Sequence, residues 1–346
     1  MYERKDIILA VDYHAQNIEV RWFHCGMGEE RRLNMPTTRA GILRLVEEAV
    51  AEAALVGGRV IWIMESTTGW ARVKDLIGSR VEFVMANVLQ MPLPPKAYRR
   101  KSDKIDTGRI LREFLNGSLP RSYQPDSWWR EVRRLVDSRQ DVVERQTAVK
   151  NWIVHFLHHE TWEDRTNLWA QKGMKRLRSL KFSASDRLVL DLKLQELDEL
   201  AQRREQMEAA MRGVYEQWPQ AQRVDEVRGI GMVTAVSILA HIGAIERFGR
   251  AEELISYAGL APGHRQSDGT RHNGKIGGGG TDSHLRYLLI ESMQWVCQIP
   301  RYQEAFGRAV ARHGKNIARI ILARMLLRSL FKMLKDQVRF NQVQVA

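Results

Sequence analysis

Cysteine is nearly absent: Cys25 and Cys297 are the only two in 346 residues. Neither a disulfide framework nor the paired spacing of a zinc finger can be built from them, and a reducing, cytoplasmic setting is expected. Long apolar runs are absent as well. No stretch approaches the roughly 18 residues needed to span a bilayer, and no secretory core follows the opening Met1-Tyr2-Glu3-Arg4-Lys5-Asp6. A soluble chain with no membrane partner is expected. Proline is scarce and missing altogether between Pro125 and Pro219, so nothing there interrupts long helices. Acidic residues are outnumbered, 41 against 54 Lys and Arg, and the formal net charge is +13. A globular protein this basic usually meets a polyanion, most often nucleic acid.

The residues present divide the chain into three stretches. Hydrophobic residues make up 44%, enough for real cores. Residues 7–12 (IILAVD) form a short apolar run that reads as a buried strand ending at Asp12, and residues 18–24 and 29–34 read as a hairpin across Gly26 and Gly28. Thr37 or Thr38 can cap a helix to about Val56, ended by Gly57-Gly58. Residues 59–64 (RVIWIM) form another buried strand before Glu65, followed by a short helix and a strand over 80–86. That order suits a ribonuclease-H-like mixed α/β fold. Ser102 then caps a helix to about Asn116. From Ser127 to His159 and again over 186–218, apolar residues recur at helical spacing, predicting a long helical hairpin, a coiled coil. After residue 222, Val227-Arg-Gly-Ile-Gly-Met opens a helix in the manner of a helix-hairpin-helix module, with the backbone N–H groups near Gly229 and Gly231 available to a phosphate. A glycine- and histidine-rich loop over 262–282 and helices over 283–297 and 315–335 complete the chain. The expected domains are 1–120, 121–221 and 222–346.

Several side chains stand out chemically. Asp12 and Glu65 end strands whose preceding residues are apolar, and Asp103 and Asp106 lie three apart at a helix start. Clustered carboxylates suit hard divalent cations such as Mg²⁺, two of which can assist a phosphoryl displacement. The alternative is that Asp103 and Asp106 merely complement the helix dipole and Asp12 caps a strand end. Ser267 lies among Arg265, Arg271 and Lys275, cations that can hold a phosphate, although a serine in a polar turn has the same appearance. Arg139, Arg145 and Lys150 mark the helical hairpin either as a phosphate-contacting face or as a solvated one with a register-setting polar position.

These residues fall in blocks that resemble the DEDD transposases of the insertion-sequence one-hundred-and-ten family, which also include the Piv invertases. The blocks are Val11-Asp12 with Glu65-Ser-Thr-Thr-Gly69, then Lys101-Ser-Asp-Lys-Ile-Asp106, then Arg134 to Asn151, then Arg228-Gly-Ile-Gly231 with Tyr257 to Pro262, Gln266-Ser267 and His284 to Tyr287. The resemblance implies a RuvC-like N-terminal domain, a coiled-coil linker and a mainly helical C-terminal transposase domain. It implies Asp12, Glu65, Asp103 and Asp106 as Mg²⁺ ligands, and Ser267 as the residue that attacks DNA and holds it as a phosphoserine. It also implies donor and target DNA, a structured noncoding guide (bridge) RNA, a bacterial cytoplasm, and homodimers assembling to tetramers in which a RuvC-like site meets a serine from another subunit. Asp268 before Gly269, and the run Gly277–Gly280, depart from the family pattern. Two other readings stand beside it: a metal-dependent junction nuclease without serine chemistry, and a non-catalytic nucleic-acid-binding coiled-coil protein.

Overall fold

The computed structural model describes residues 2–91, 103–159, 167–267, 270–278 and 280–343, and the side chains of all of these except 103–106, 159 and 262–275. The chain packs as two compact units, Met1–Gln124 and Pro125–Ala346.

The first unit is built on a mixed five-stranded sheet. Strands β1 (Ile7–Tyr13), β2 (Asn17–His24) and β3 (Glu29–Pro36) run as an antiparallel meander. Helix α1 (Arg39–Leu55) leads to β4 (Val60–Glu65), α2 (Trp70–Ile77) to β5 (Glu82–Ala86), and α3 (Asp103–Leu115) follows. The sheet order is β3-β2-β1-β4-β5, with β1, β4 and β5 parallel. Strand β1 is central and covered on both faces, which is why its first five residues are all buried and apolar rather than alternating with polar ones. Ile7, Leu9 and Val11 join Trp62 and Met64 under α1 and α2. Ile8 and Ala10 join Ile61, Ile63 and the α3 residues Ile110, Leu111 and Phe114 on the other face. Thr38 caps α1 as expected, its Oγ1 accepting from Gly41 N at 3.0 Å.

Asp6, which the sequence reading passed over, locks the start of this sheet. Only 1% exposed, its carboxylate accepts the backbone N–H groups of Glu3 and Arg59 and pairs with the Arg59 guanidinium at 3.0 Å. Burial opposes its charge, but those donors win and hold the carboxyl below the usual range.

Among the described residues, the regular structure of the second unit is helical apart from one strand pair. Helices α4 (Ser127–His159) and α6 (Ala184–Glu216) pack antiparallel, with α5 (Gln171–Ser179) between them in sequence. Val142, Val149, Ile153 and Leu157 meet Leu190, Leu194, Leu197 and Leu200. A polar layer interrupts that seam. Arg139 Nη2 donates to Glu208 Oε1 at 2.6 Å, and Arg204 Nη1 reaches the buried Gln146 at 3.4 Å. Beyond it, α7 (Pro219–Asp225), α8 (Met232–Ile242), α9 (Ala251–Tyr257), α10 (Ser283–Val296), α11 (Pro300–His313) and α12 (Lys315–Lys335) share one large core. No helix among the described residues is long and apolar enough to cross a membrane.

Two segments differ from expectation. The polar stretch read as a loop contains an antiparallel pair, β6 (Pro262–Ser267) and β7 (Thr270–Ile276). Its residues are polar, so apolar alternation gave no signal. Residues 300–313, left unassigned, form α11, with Pro300 in its first turn and Tyr302 and Ala309 buried.

Gly58 tests how tightly β4 is tied to the segment before β1. A Cβ there would lie 1.8 Å from the carbonyl oxygen of Lys5. Because the obstacle is backbone, Gly58→Ala is expected to destabilise the first unit by about 3 kcal/mol, the upper end of ordinary overpacking costs. Thermal or urea unfolding monitored on that unit checks it; an unchanged midpoint would contradict the close approach.

Candidate active site

The parallel pairing of β1 with β4 brings two of the four singled-out carboxylates to one place. The register sets Val11 opposite Met64, so one residue further Asp12 and Glu65 stand at the same end of neighbouring strands. Side chains alternate along a strand. Ile8 and Ala10 on β1, and Ile61 and Ile63 on β4, face α3; Asp12 and Glu65 continue those two rows. Asp12 is 12% exposed at its side chain, and His14 Nε2 lies 3.2 Å from its Oδ2.

Helix α3 runs back along β1. Near its C-terminus, the Leu115 carbonyl accepts from Tyr2 Oη at 3.4 Å. Two turns earlier, the buried Thr107 Oγ1 accepts from Arg21 Nε at 3.0 Å, and Arg21 sits opposite Ala10. Gly108 leaves room for that guanidinium: a Cβ there would lie 2.7 Å from it. The helix begins one turn before Thr107, with Asp103 and Asp106 in that first turn. The side chains of Asp103 and Asp106 fall outside the described residues.

In the second unit Ser267 ends β6, opposite Thr270, and Arg265 and Gln266 stand opposite His272 and Arg271. The side chains of Ser267, Arg265, Arg271 and Lys275 also fall outside the described residues. Gly229 has φ +90°, and a Cβ on it would come 2.5 Å from Trp295 Cβ. Gly231 is the N-cap of α8, without a side-chain cap and with open space at its Cβ position. On α4, Arg139 is engaged with Glu208, Arg145 is exposed, and Lys150 Nζ lies 5.4 Å from the centre of the Trp169 ring.

A further group, given no role from sequence, lies where α4, α8 and α10 meet. His241 ends α8 with a side chain 2% exposed. Its Nδ1 is 2.9 Å from Asp282 Oδ2, and its Nε2 is 3.2 Å from Asp137 Oδ1. Asp282 caps α10 through Leu285 N at 2.9 Å and accepts from Arg133 Nη2 at 2.7 Å and Tyr257 Oη at 3.2 Å. His284 Nδ1 is 3.4 Å from Asp137 Oδ1. Burial works against charge on Asp282 and Asp137, but His241 and the neighbouring Arg133 outweigh it. Asp282 is drawn down to about 2, and Asp137, with His284 also at its oxygen, falls further. His241 is pushed up despite its burial, by the two carboxylates. Asp282 carried one signal in the sequence, an Asp immediately before an apolar helix. Nothing linked it to His241 or Asp137.

Comparison with known proteins agrees with these blocks. Residues 10–160 match a family model described as a transposase, the DEDD type of IS110, and residues 221–308 match the model of the IS116/IS110/IS902 transposase family. Over 299 residues the chain is 25% identical to the transposase-like protein y4qE of Sinorhizobium fredii, covering 84% of this chain and 69% of that one. Over 137 residues it is 29% identical to an uncharacterized 43.6 kDa protein of insertion element IS110 from Streptomyces coelicolor, covering 39% of this chain and 34% of that one.

The buried histidine makes a pH prediction. His241 binds its proton more tightly folded than unfolded, so its contribution is complete below pH 6.5 and is lost as pH rises through the raised folded value. Asp137 and Asp282 have the opposite sign: theirs is complete above 3.8 and is lost as pH falls through the lowered values. Melting curves in EDTA should therefore show the second unit losing stability as pH rises above 6.5 and through the raised folded value. In His241→Gln that slope should flatten; an equal slope in both proteins would assign the effect elsewhere.

Proposed function

The chain belongs to the IS116/IS110/IS902 family of transposases, and from that premise we propose that it cuts and rejoins DNA through a Mg²⁺-binding carboxylate centre and a covalent bond to Ser267. The observation that carries the first half is the β1–β4 register, which sets Asp12 and Glu65 side by side on the face covered by α3. The residues fit the ion: all four candidates, Asp12, Glu65, Asp103 and Asp106, are hard oxygen donors, the ligand type Mg²⁺ takes. Bound there, Mg²⁺, as a pair of ions, would offset negative charge building on the phosphoryl oxygens. The four carboxylates would hold and space the ions, and the cations would offset the repulsion between them.

Hydrolysis would discard the phosphodiester that rejoining needs. Serine keeps it: Oγ forms a bond to phosphorus as one DNA oxygen leaves, and the hydroxyl proton ends on the released DNA hydroxyl. A DNA hydroxyl then attacks the same phosphorus and returns the proton to Oγ. Arg265, Arg271 and Lys275, on the same strand pair as Ser267, are the cations proposed to hold that phosphate.

The net charge of +13 and exposed Arg145 support nucleic acid along α4, with Lys150 beside it. Because Arg139 already pairs with Glu208, it is expected to contribute less. The uncapped start of α8 at Gly231 is a second candidate phosphate contact, in the manner of a helix-hairpin-helix. The nucleic acids proposed are donor and target DNA and a structured noncoding guide RNA, held by homodimers that pair into tetramers.

Purified protein with DNA spanning its element's ends, quenched in denaturant, should give a DNA-linked band that needs Mg²⁺. Ser267→Ala should lose the band. Asp12→Asn should lose both the band and strand cleavage, by at least about 100-fold, with its circular dichroism unchanged. Cleavage without an adduct in the wild-type protein would leave the carboxylate centre standing as a nuclease and overturn the serine. Cleavage that survives EDTA would overturn the metal. Sequencing RNA that copurifies from cells carrying the native flanks tests the guide separately: no enrichment of RNA from that locus counts against it.

A further inference from the structure

The group formed by Asp137, His241 and His284 has no role in the chemistry proposed above, and we propose that it binds a transition-metal cation of the Zn²⁺ class. His241 Nε2 is buried and has no well-directed hydrogen-bond partner among the described residues, yet it faces Asp137 Oδ1 at 3.2 Å. His284 Nδ1 lies 3.4 Å from that same oxygen, and one ligand atom from each of the three residues falls within 4.8 Å of the others. In a tetrahedral site with bonds of about 2.0–2.1 Å, neighbouring ligand atoms stand about 3.4 Å apart. The two spacings to Asp137 already have that length, and the partly exposed His284 ring can turn to complete the third.

The outer shell is built in the way such sites require. A metal-ligating histidine usually donates its other ring N–H to a carboxylate, which fixes the tautomer and the ring. Here Asp282 Oδ2 stands 2.9 Å from His241 Nδ1 and is itself held by Arg133, Tyr257 and the backbone of Leu285. With the proton on Nδ1, the Nε2 lone pair is directed at Asp137. Three elements of one unit, α4, α8 and α10, supply the ligands, so the site does not depend on a mobile segment. Two imidazoles and one carboxylate suit Zn²⁺, Co²⁺ or Ni²⁺ rather than Mg²⁺, which takes oxygen ligands. Asp137 and His284 themselves line a groove with Gln140, Glu144, Thr147 and Tyr287, from which water can complete the shell.

The test uses the full chain with Asp12→Asn and Glu65→Gln, so that the carboxylate centre does not contribute, stripped with EDTA and titrated with Co²⁺. The expected result is about one ion per chain, with the visible d–d absorption of a four-coordinate nitrogen–oxygen site, displaced by Zn²⁺ but not by a roughly 100-fold excess of Mg²⁺. His284→Gln, at a partly exposed position that should not disturb folding, is expected to weaken binding by at least about 100-fold; Asp282→Asn should weaken it by about 10–100-fold with the same spectrum. Circular dichroism reports whether each variant is folded. No stoichiometric Co²⁺ in the parent chain, or equal binding in folded His284→Gln, overturns the site and leaves the group as a hydrogen-bonded clamp between helices.

Discussion

The first unit depends on the pleat of two neighbouring parallel strands. Because β1 and β4 pair in register, with Ile7 opposite Val60 and Val11 opposite Met64, rows of equal parity on the two strands face the same way. One row feeds the core under α1 and α2, and the other feeds the core under α3. Asp12 and Glu65 extend the second row beyond its apolar part. A one-residue slip of β4 would send Glu65 to the opposite face and would expose Trp62 and Met64 to the wrong core. The hydrophobic register and the catalytic candidate are therefore held by the same constraint. The packing of Ile61 and Ile63 against α3 helps fix where Asp12 and Glu65 stand.

Acidic residues near the two ends of β1 differ in what their surroundings do with the charge. Asp6 is closed in by two backbone N–H groups and the Arg59 guanidinium, so its oxygens are already engaged in the structure. Asp12 lies near the C-terminal end of the central strand, where burial becomes partial. Charge alone does not mark a functional carboxylate. What marks Asp6 is that backbone donors and a guanidinium close in on its oxygens, whereas Asp12, beside His14, stands in register with a second acid, Glu65.

The parts of the fold legible in the sequence are those where burial leaves a period. The apolar run 7–11 with its terminal acid, the run before Glu65, the Thr38 cap and the two long helical stretches each follow from local residue chemistry. The strand pair β6–β7 was not legible, since His264, Arg265, Asn273 and Lys275 alternate nothing apolar, and its backbone pairing has no sequence period. Helix α11 had a signal, Pro300 followed by Tyr302, Phe306 and Ala309, but it is short and weakly apolar. For the candidate site, Asp12 and Glu65 could be singled out because strand ends are local features. The partnership of His241 with Asp282 joins residues 41 apart, and that of His284 with Asp137 joins residues 147 apart. Only packing reveals such pairs, because each residue alone reads as an ordinary polar position.

The buried group of the second unit shows why a proton and a metal ion compete for one place. With His241 neutral, the Arg133 guanidinium stands against two carboxylates, the buried Asp282 and the half-exposed Asp137. Adding a proton at Nε2 restores the balance and links α8 to both α4 and α10. A divalent cation at the same nitrogen does the same work, with His284 recruited as a further ligand. Metal binding releases the proton that a histidine ligand would otherwise hold, so affinity must rise as pH rises through the range where the protonated clamp weakens. Stability from the proton and stability from the ion thus cover adjoining ranges of pH.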